Sequence, residues 1–137
     1  MLLRRVCRAR WDVLAVCTER GDCALLDFLE GLEGHLAKEG TRAELLLERV
    51  AAQGPRLGNE ISKPLGGEIF ELRFGSIRML WFYDAGQVVV VTHGFVKKGQ
   101  KTPPVEIRRA EQARKEYFEA LRGGRLRIEN RRKEGEV

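Results

Sequence analysis

Cysteine is scarce and odd in number. Cys7, Cys17 and Cys23 are the only three, with no C-x-x-C spacing, a set that neither a disulfide framework nor a zinc site uses. They read as reduced, mostly buried thiols. Histidine is scarcer still, with His35 and His93 alone, which argues against a histidine-built metal cluster. Chemistry without metal or cofactor is the expectation. No unbroken apolar stretch approaches the ~18 residues that span a bilayer. Arg4, Arg5, Arg8 and Arg10 follow only Leu2 and Leu3, which leaves no apolar core for a secretory signal. The chain therefore reads as cytoplasmic, with a basic lead-in over residues 1–10 and no membrane partner.

What is present is an ordinary globular balance: 137 residues, 43% hydrophobic and 33% charged, enough for one domain with its own core. That domain is placed at residues 11–122, with a charged, flexible tail over 123–137. The net charge of +5 is unevenly spread. Trp11 to Gly54 holds 4 basic and 9 acidic residues, whereas Lys97 to Lys133 holds 13 basic and 5 acidic. A basic C-terminal half fits a phosphate or nucleic-acid binder, and equally a solvated helix and tail.

Trp11 to Cys17 reads as a strand. After Asp22, Leu25, Phe28, Leu29 and Leu32 fall at helical spacing, and Thr41 opens a second helix through Ala43, Leu46, Leu47, Val50 and Ala51, stopped by Gly54-Pro55. Pro55 to Gly67 reads as a loop carrying Lys63. From Glu68 the period changes to two: strands 68–74 and 77–83 joined by Gly75-Ser76, then 88–95. Thr102-Pro103-Pro104 starts a last helix, with an inner stripe of Ile107, Ala110, Ala113, Tyr117 and Leu121 and an outer row of Arg108, Lys115 and Arg122. The fold class is α+β: an antiparallel meander of about four strands, two N-terminal helices packed on one face, and a C-terminal helix.

A two-residue turn at Gly75-Ser76 sets Arg73 opposite Arg78 and Glu71 opposite Leu80, with Phe70, Leu72, Met79 and Trp81 on the apolar face. Like charges facing each other across a ladder repel. Either an anion sits between two guanidiniums built for bidentate phosphate recognition, or Glu71 pairs with one arginine and the other points to water. Lys97, Lys98 and Lys101 follow the last strand as phosphate contacts or as a solvated cluster. A turn of two or four residues after Tyr83 puts His93 on the Arg78 face; three residues put it in the core. A buried, hydrogen-bonded histidine is the safer reading, with His35 on the surface and Tyr117 as packing.

Ser62-Lys63-Pro64-Leu65-Gly66, Glu71-Leu72-Arg73-Phe74 with Arg78, His93-Gly94-Phe95-Val96-Lys97-Lys98, Gln100-Lys101-Thr102-Pro103 and Glu106-Ile107 together resemble the phage-derived toxin family close to HigB, within the RelE/ParE superfamily. The resemblance implies a RelE-like fold and a metal-free, ribosome-dependent endoribonuclease acting on messenger RNA. It also implies a cognate antitoxin, often of helix-turn-helix type. By this resemblance Arg78 matches the strand arginine of RelE-like sites, Arg73 the arginine one strand earlier, and Lys97 or Lys98 the cation just after the last strand; the acid–base equipment departs from the family's, with Glu71, His93, Lys63 and Tyr117 as the candidates. Lys63, Lys98, Lys101, Arg108 and Lys115 are the expected RNA contacts. The other function class on the same fold is a non-catalytic binder: a gyrase-inhibiting toxin of the ParE type, or an inactive module.

Overall fold

In the computed structural model, which describes residues 1–131, pleated backbone begins at the second residue. Leu2–Arg8 forms strand β1, with Leu2 and Leu3 both buried. Adjacent side chains on a strand point to opposite faces, so burying both requires cover on both sides of the sheet. Leu2 packs with the N-terminal helices and Leu3 with the C-terminal one. The basic lead-in is therefore structural. Arg5 donates Nε and Nη2 to Asp12 at 2.8 and 3.0 Å, and Arg4 donates to the Gly21 carbonyl at 2.7 Å. Leu3→Ala should cost about 2–5 kcal/mol, as large-to-small core changes do. Chemical denaturation checks this, since an unstructured lead-in would lose nothing.

The chain continues through β2 (Asp12–Cys17), α1 (Ala24–Glu30), α2 (His35–Gln53), β3 (Ser62–Gly66), β4 (Ile69–Phe74), β5 (Ile77–Asp84), β6 (Val88–Val96), α3 (Pro104–Arg122) and β7 (Arg127–Asn130). The sheet has seven strands rather than about four, in the order β3-β4-β5-β6-β2-β1-β7. It is mixed, because β2 runs parallel to β6 and β1 parallel to β7. The three added strands carry weak signals. β1 is rich in arginine, β3 contains Pro64 and Gly66, and β7 is wholly exposed. β3 and β7 are the two edges of the sheet, where such residues are tolerated because one side of the strand needs no ladder partner; β1 lies between β2 and β7. Of the supposed tail, residues 127–130 form β7, and residues 132–137 lie outside the described part.

Helix α2 starts at His35, six residues before Thr41, and runs through a buried Gly40. A Cβ at Gly40 would lie 2.6 Å from Leu32 Cδ1, so the glycine lets the α1–α2 connection close on the helix. His35 is exposed, as expected.

The N-terminal helices cover Leu72, Met79 and Trp81, with Phe70 packed alongside. Helix α3 does not join them. It covers the opposite face, where Ala110 and Tyr117 meet Ile69, Leu80, Phe82 and Val90. The face expected to be open is thus partly roofed. Tyr117 is packing, its hydroxyl donating to Asp84 Oδ2 at 2.8 Å, while Leu121 is 43% exposed and Ala120 takes the inner place. All three cysteines are free, Cys17 and Cys23 buried and Cys7 half-buried. Among the described residues no helix is long and apolar enough to cross a membrane.

Candidate anion site on the sheet

The β4–β5 hairpin has the register its sequence predicts: Phe74 opposite Ile77, Arg73 opposite Arg78, Glu71 opposite Leu80. Gly75 turns it at φ +55, a conformation that glycine adopts at little cost. Glu39 of α2 holds the tip, accepting from Ser76 Oγ at 2.8 Å and Ser76 N at 3.4 Å. The arginine pair is thereby tied to the helix layer on the far side of the sheet.

Glu71 is wholly buried between the two arginines. Its Oε1 accepts from Arg73 Nε at 3.1 Å and lies 3.6 Å from Arg78 Nε. Its Oε2 accepts from the Thr102 hydroxyl. A buried carboxylate is tolerated when paired and hydrogen-bonded, and here one anion offsets the repulsion between two facing cations. Both alternatives left by the sequence are answered in part: Glu71 serves both arginines, and neither simply points to water. Arg78 Nη1 donates to the carbonyls of Gly75 at 2.7 Å and Ile77 at 2.9 Å, while its buried Nε has no hydrogen-bond partner. Burial pulls the Arg78 pKa down, and Glu71 opposes this.

Two lysines join the cluster. Lys63 lies not in a loop but on β3, paired with Glu71. Lys97 follows β6 directly, its backbone N–H bonded to the Ser76 carbonyl at 2.8 Å. Desolvation lowers the Lys97 pKa, with Arg78, Arg73 and Lys63 pushing the same way and Glu71 opposing. Four cations thus surround one carboxylate. Lys98 and Lys101 are exposed in the loop that leads to α3. Arg108 and Lys115 are exposed on α3, away from its buried stripe, and the structure does not bring them into the cluster.

His93 reaches the Arg78 face by a route that loop length alone does not reveal. The β5–β6 turn has three residues, Ala85 to Gln87, which by parity would send His93 to the other face. A bulge at Thr92 restores it opposite Leu80. There it is sealed, its side chain 2% exposed, with Nδ1 2.9 Å from Thr92 Oγ1 and Nε2 3.4 Å from Glu106 Oε1. The ring is thus the buried, hydrogen-bonded histidine of the safer reading, set on the Arg78 face. Burial, helped by Arg109, pushes its pKa down to about 4, so the ring is neutral at pH 7 and the Glu106 contact is no ion pair. The unfolded chain takes up this proton near pH 6.5 and the folded chain only near 4. Stability is therefore full above pH 6.5 and falls as pH drops towards 4, by up to about 3 kcal/mol. Denaturation at pH 7 and pH 4.5 should show a larger loss for the natural protein than for His93→Gln.

Thr102 joins the site although the sequence marks it only as a helix start and as part of the Gln100-Lys101-Thr102-Pro103 string, neither of which points to a carboxylate partner.

A family model described as Phage derived protein Gp49-like (DUF891) matches residues 29–115. No curated protein matches the chain. The matched segment is well over half of the sequence and contains α2, β3 to β6 and the whole Lys63, Glu71, Arg73, Arg78, Lys97 and Thr102 cluster. The chain belongs to the phage-derived Gp49-like protein family.

Proposed function

We propose that this chain is the toxin of a toxin–antitoxin pair, and that it cuts messenger RNA on the ribosome without a metal ion. The observation that carries this reading is the facing pair Arg73 and Arg78, held by one buried carboxylate and flanked by Lys63 and Lys97. In the reaction a ribose 2′-oxygen attacks the adjacent phosphorus. A P–O2′ bond forms and the P–O5′ bond breaks, leaving a 2′,3′-cyclic phosphate and a 5′-hydroxyl. One proton leaves the 2′-hydroxyl and one reaches the departing 5′-oxygen. Charge builds on the non-bridging oxygens, where guanidiniums are most effective. To Lys97, whose pKa is lowered by desolvation with Arg78, Arg73 and Lys63 pushing the same way, we assign the proton exchange with the leaving oxygen. Glu71 is enclosed and acts on substrate only through the arginines, as a positioning residue.

The second reading, a non-catalytic toxin of the ParE type, is favoured by one feature: His93 and Glu71, two of the acid–base candidates, are both sealed from solvent. Induced expression separates the two. Growth arrest with truncated transcripts, relieved by the protein encoded beside the gene, is the expected outcome; arrest with intact transcripts would favour protein inhibition. The antitoxin complex should weaken as salt rises if it covers the cations, because exposed ion pairs are screened within ~8 Å at physiological ionic strength.

A further inference from the structure

The other face of the same sheet edge carries a cavity of about 620 Å³ walled by Trp11, Phe70, Trp81 and Tyr83. Phe70 and Trp81 are stacked at 4.7 Å, and Tyr83 stands edge-on to Trp11 at 6.5 Å. Rings in a core normally close on one another. Here they leave a gap open to solvent, with Tyr83 47% exposed, and the exposed Arg56 and Asn59 at its border. Trp81 is 2% exposed, and its buried indole N–H has no acceptor, although a buried tryptophan N–H usually finds one. The wall therefore offers partly exposed flat apolar faces, those of Trp11, Phe70 and Tyr83, which suit a planar ring.

Edge strand β3 connects this cavity to the anion site. It ends the sheet, and its residues alternate: Ser62 and Pro64 line the cavity, while Lys63 between them faces Glu71 on the opposite side. A chain crossing this edge meets cations on one side and aromatic faces on the other.

We propose that the cavity holds one unstacked base of a single-stranded RNA whose backbone crosses β3 from the arginine pair. Sequence-tolerant RNA binding combines these same two elements, a cationic track and aromatic platforms on which bases stack. The identity of the strand rests on the function proposed above; the base site itself does not.

Both of the chain's tryptophans line the cavity, so its intrinsic emission reports occupancy without a label. Adenosine and uridine 5′-monophosphates and a hexaribonucleotide should quench that emission saturably, and inorganic phosphate should not. Tyr83→Ala, a change at an exposed ring, should weaken binding by roughly 5- to 150-fold, the range that base stacking carries. Arg122→Ala, an exposed change on α3 outside both sites, should leave quenching by the mononucleotides unchanged. No quenching by any ribonucleotide, or quenching indifferent to Tyr83→Ala, would overturn the proposal. So would an emission change produced only by the neighbouring gene's protein, which would make the cavity a protein-docking site. If the protein binds bases yet cuts no message, the cleavage reading falls and the base site stands. If it cuts message while no nucleotide quenches, the base site falls alone.

Discussion

Arg78→Ala and Arg73→Ala are each expected to lower message cleavage by ~10²-fold or more while leaving the protein folded. That size follows from removing one preorganised donor to the charge of a transition state. Neither side chain is part of a hydrophobic cluster, and the buried Glu71 keeps the other arginine and Thr102 as partners in each variant, so each should lose some stability yet stay folded. Single-turnover rates on programmed ribosomes, with circular dichroism as the folding control, give the comparison. Rates in both variants equal to that of the natural protein would separate the arginines from the chemistry.

Glu71→Ala is expected to act in the opposite order, on stability first. Removing one partner of a buried ion pair costs ~3–5 kcal/mol because the remaining charge is left uncompensated. Here the side chains of Arg73 and Arg78 stay 27% and 13% exposed, so solvent recovers part of it and about 2–3 kcal/mol is the expected loss. Glu71→Gln keeps an acceptor for Arg73 and Thr102 and should lose less. If the arginine pair is an anion site, tens of millimolar phosphate should raise the denaturation midpoint of Glu71→Ala by more than that of the natural protein, since binding to the native state stabilises it by mass action. Equal shifts in both would mean that phosphate does not take the vacated place between the guanidiniums.

The sequence made the hairpin at Gly75-Ser76 legible because period-two alternation on both sides of a two-residue turn leaves one register that buries Leu72, Met79 and Trp81. The first layer of helices followed from the spacing of Leu25, Phe28, Leu46 and Val50. Strand β1 is obscured because Arg4 and Arg5 look solvated until their partners Gly21 and Asp12 are brought near by the β1–β2 pairing. Strand β3 was hidden by Pro64 and Gly66, which local rules assign to loops. The side taken by α3 had no local signal, since a helical stripe shows which of its own faces is buried but not which side of a sheet buries it. His93 shows the same limit at one residue. Counting the turn after Tyr83 cannot reveal the bulge at Thr92 that reverses the parity. In the site, Glu71, Arg73 and Arg78 were visible as a register consequence, whereas Lys63 and Thr102 arrive from segments whose placement depends on the whole sheet.

Cleavage by the proposed arginine pair can be read from purified protein incubated with ribosomes carrying a defined message, followed by mapping of the new termini. Cuts bearing a 2′,3′-cyclic phosphate and a 5′-hydroxyl are expected, formed in the presence of a metal chelator and lost in Arg73→Ala and Arg78→Ala. Message left intact by the natural protein, or cut by both variants as fast as by the natural protein, would rule the proposal out.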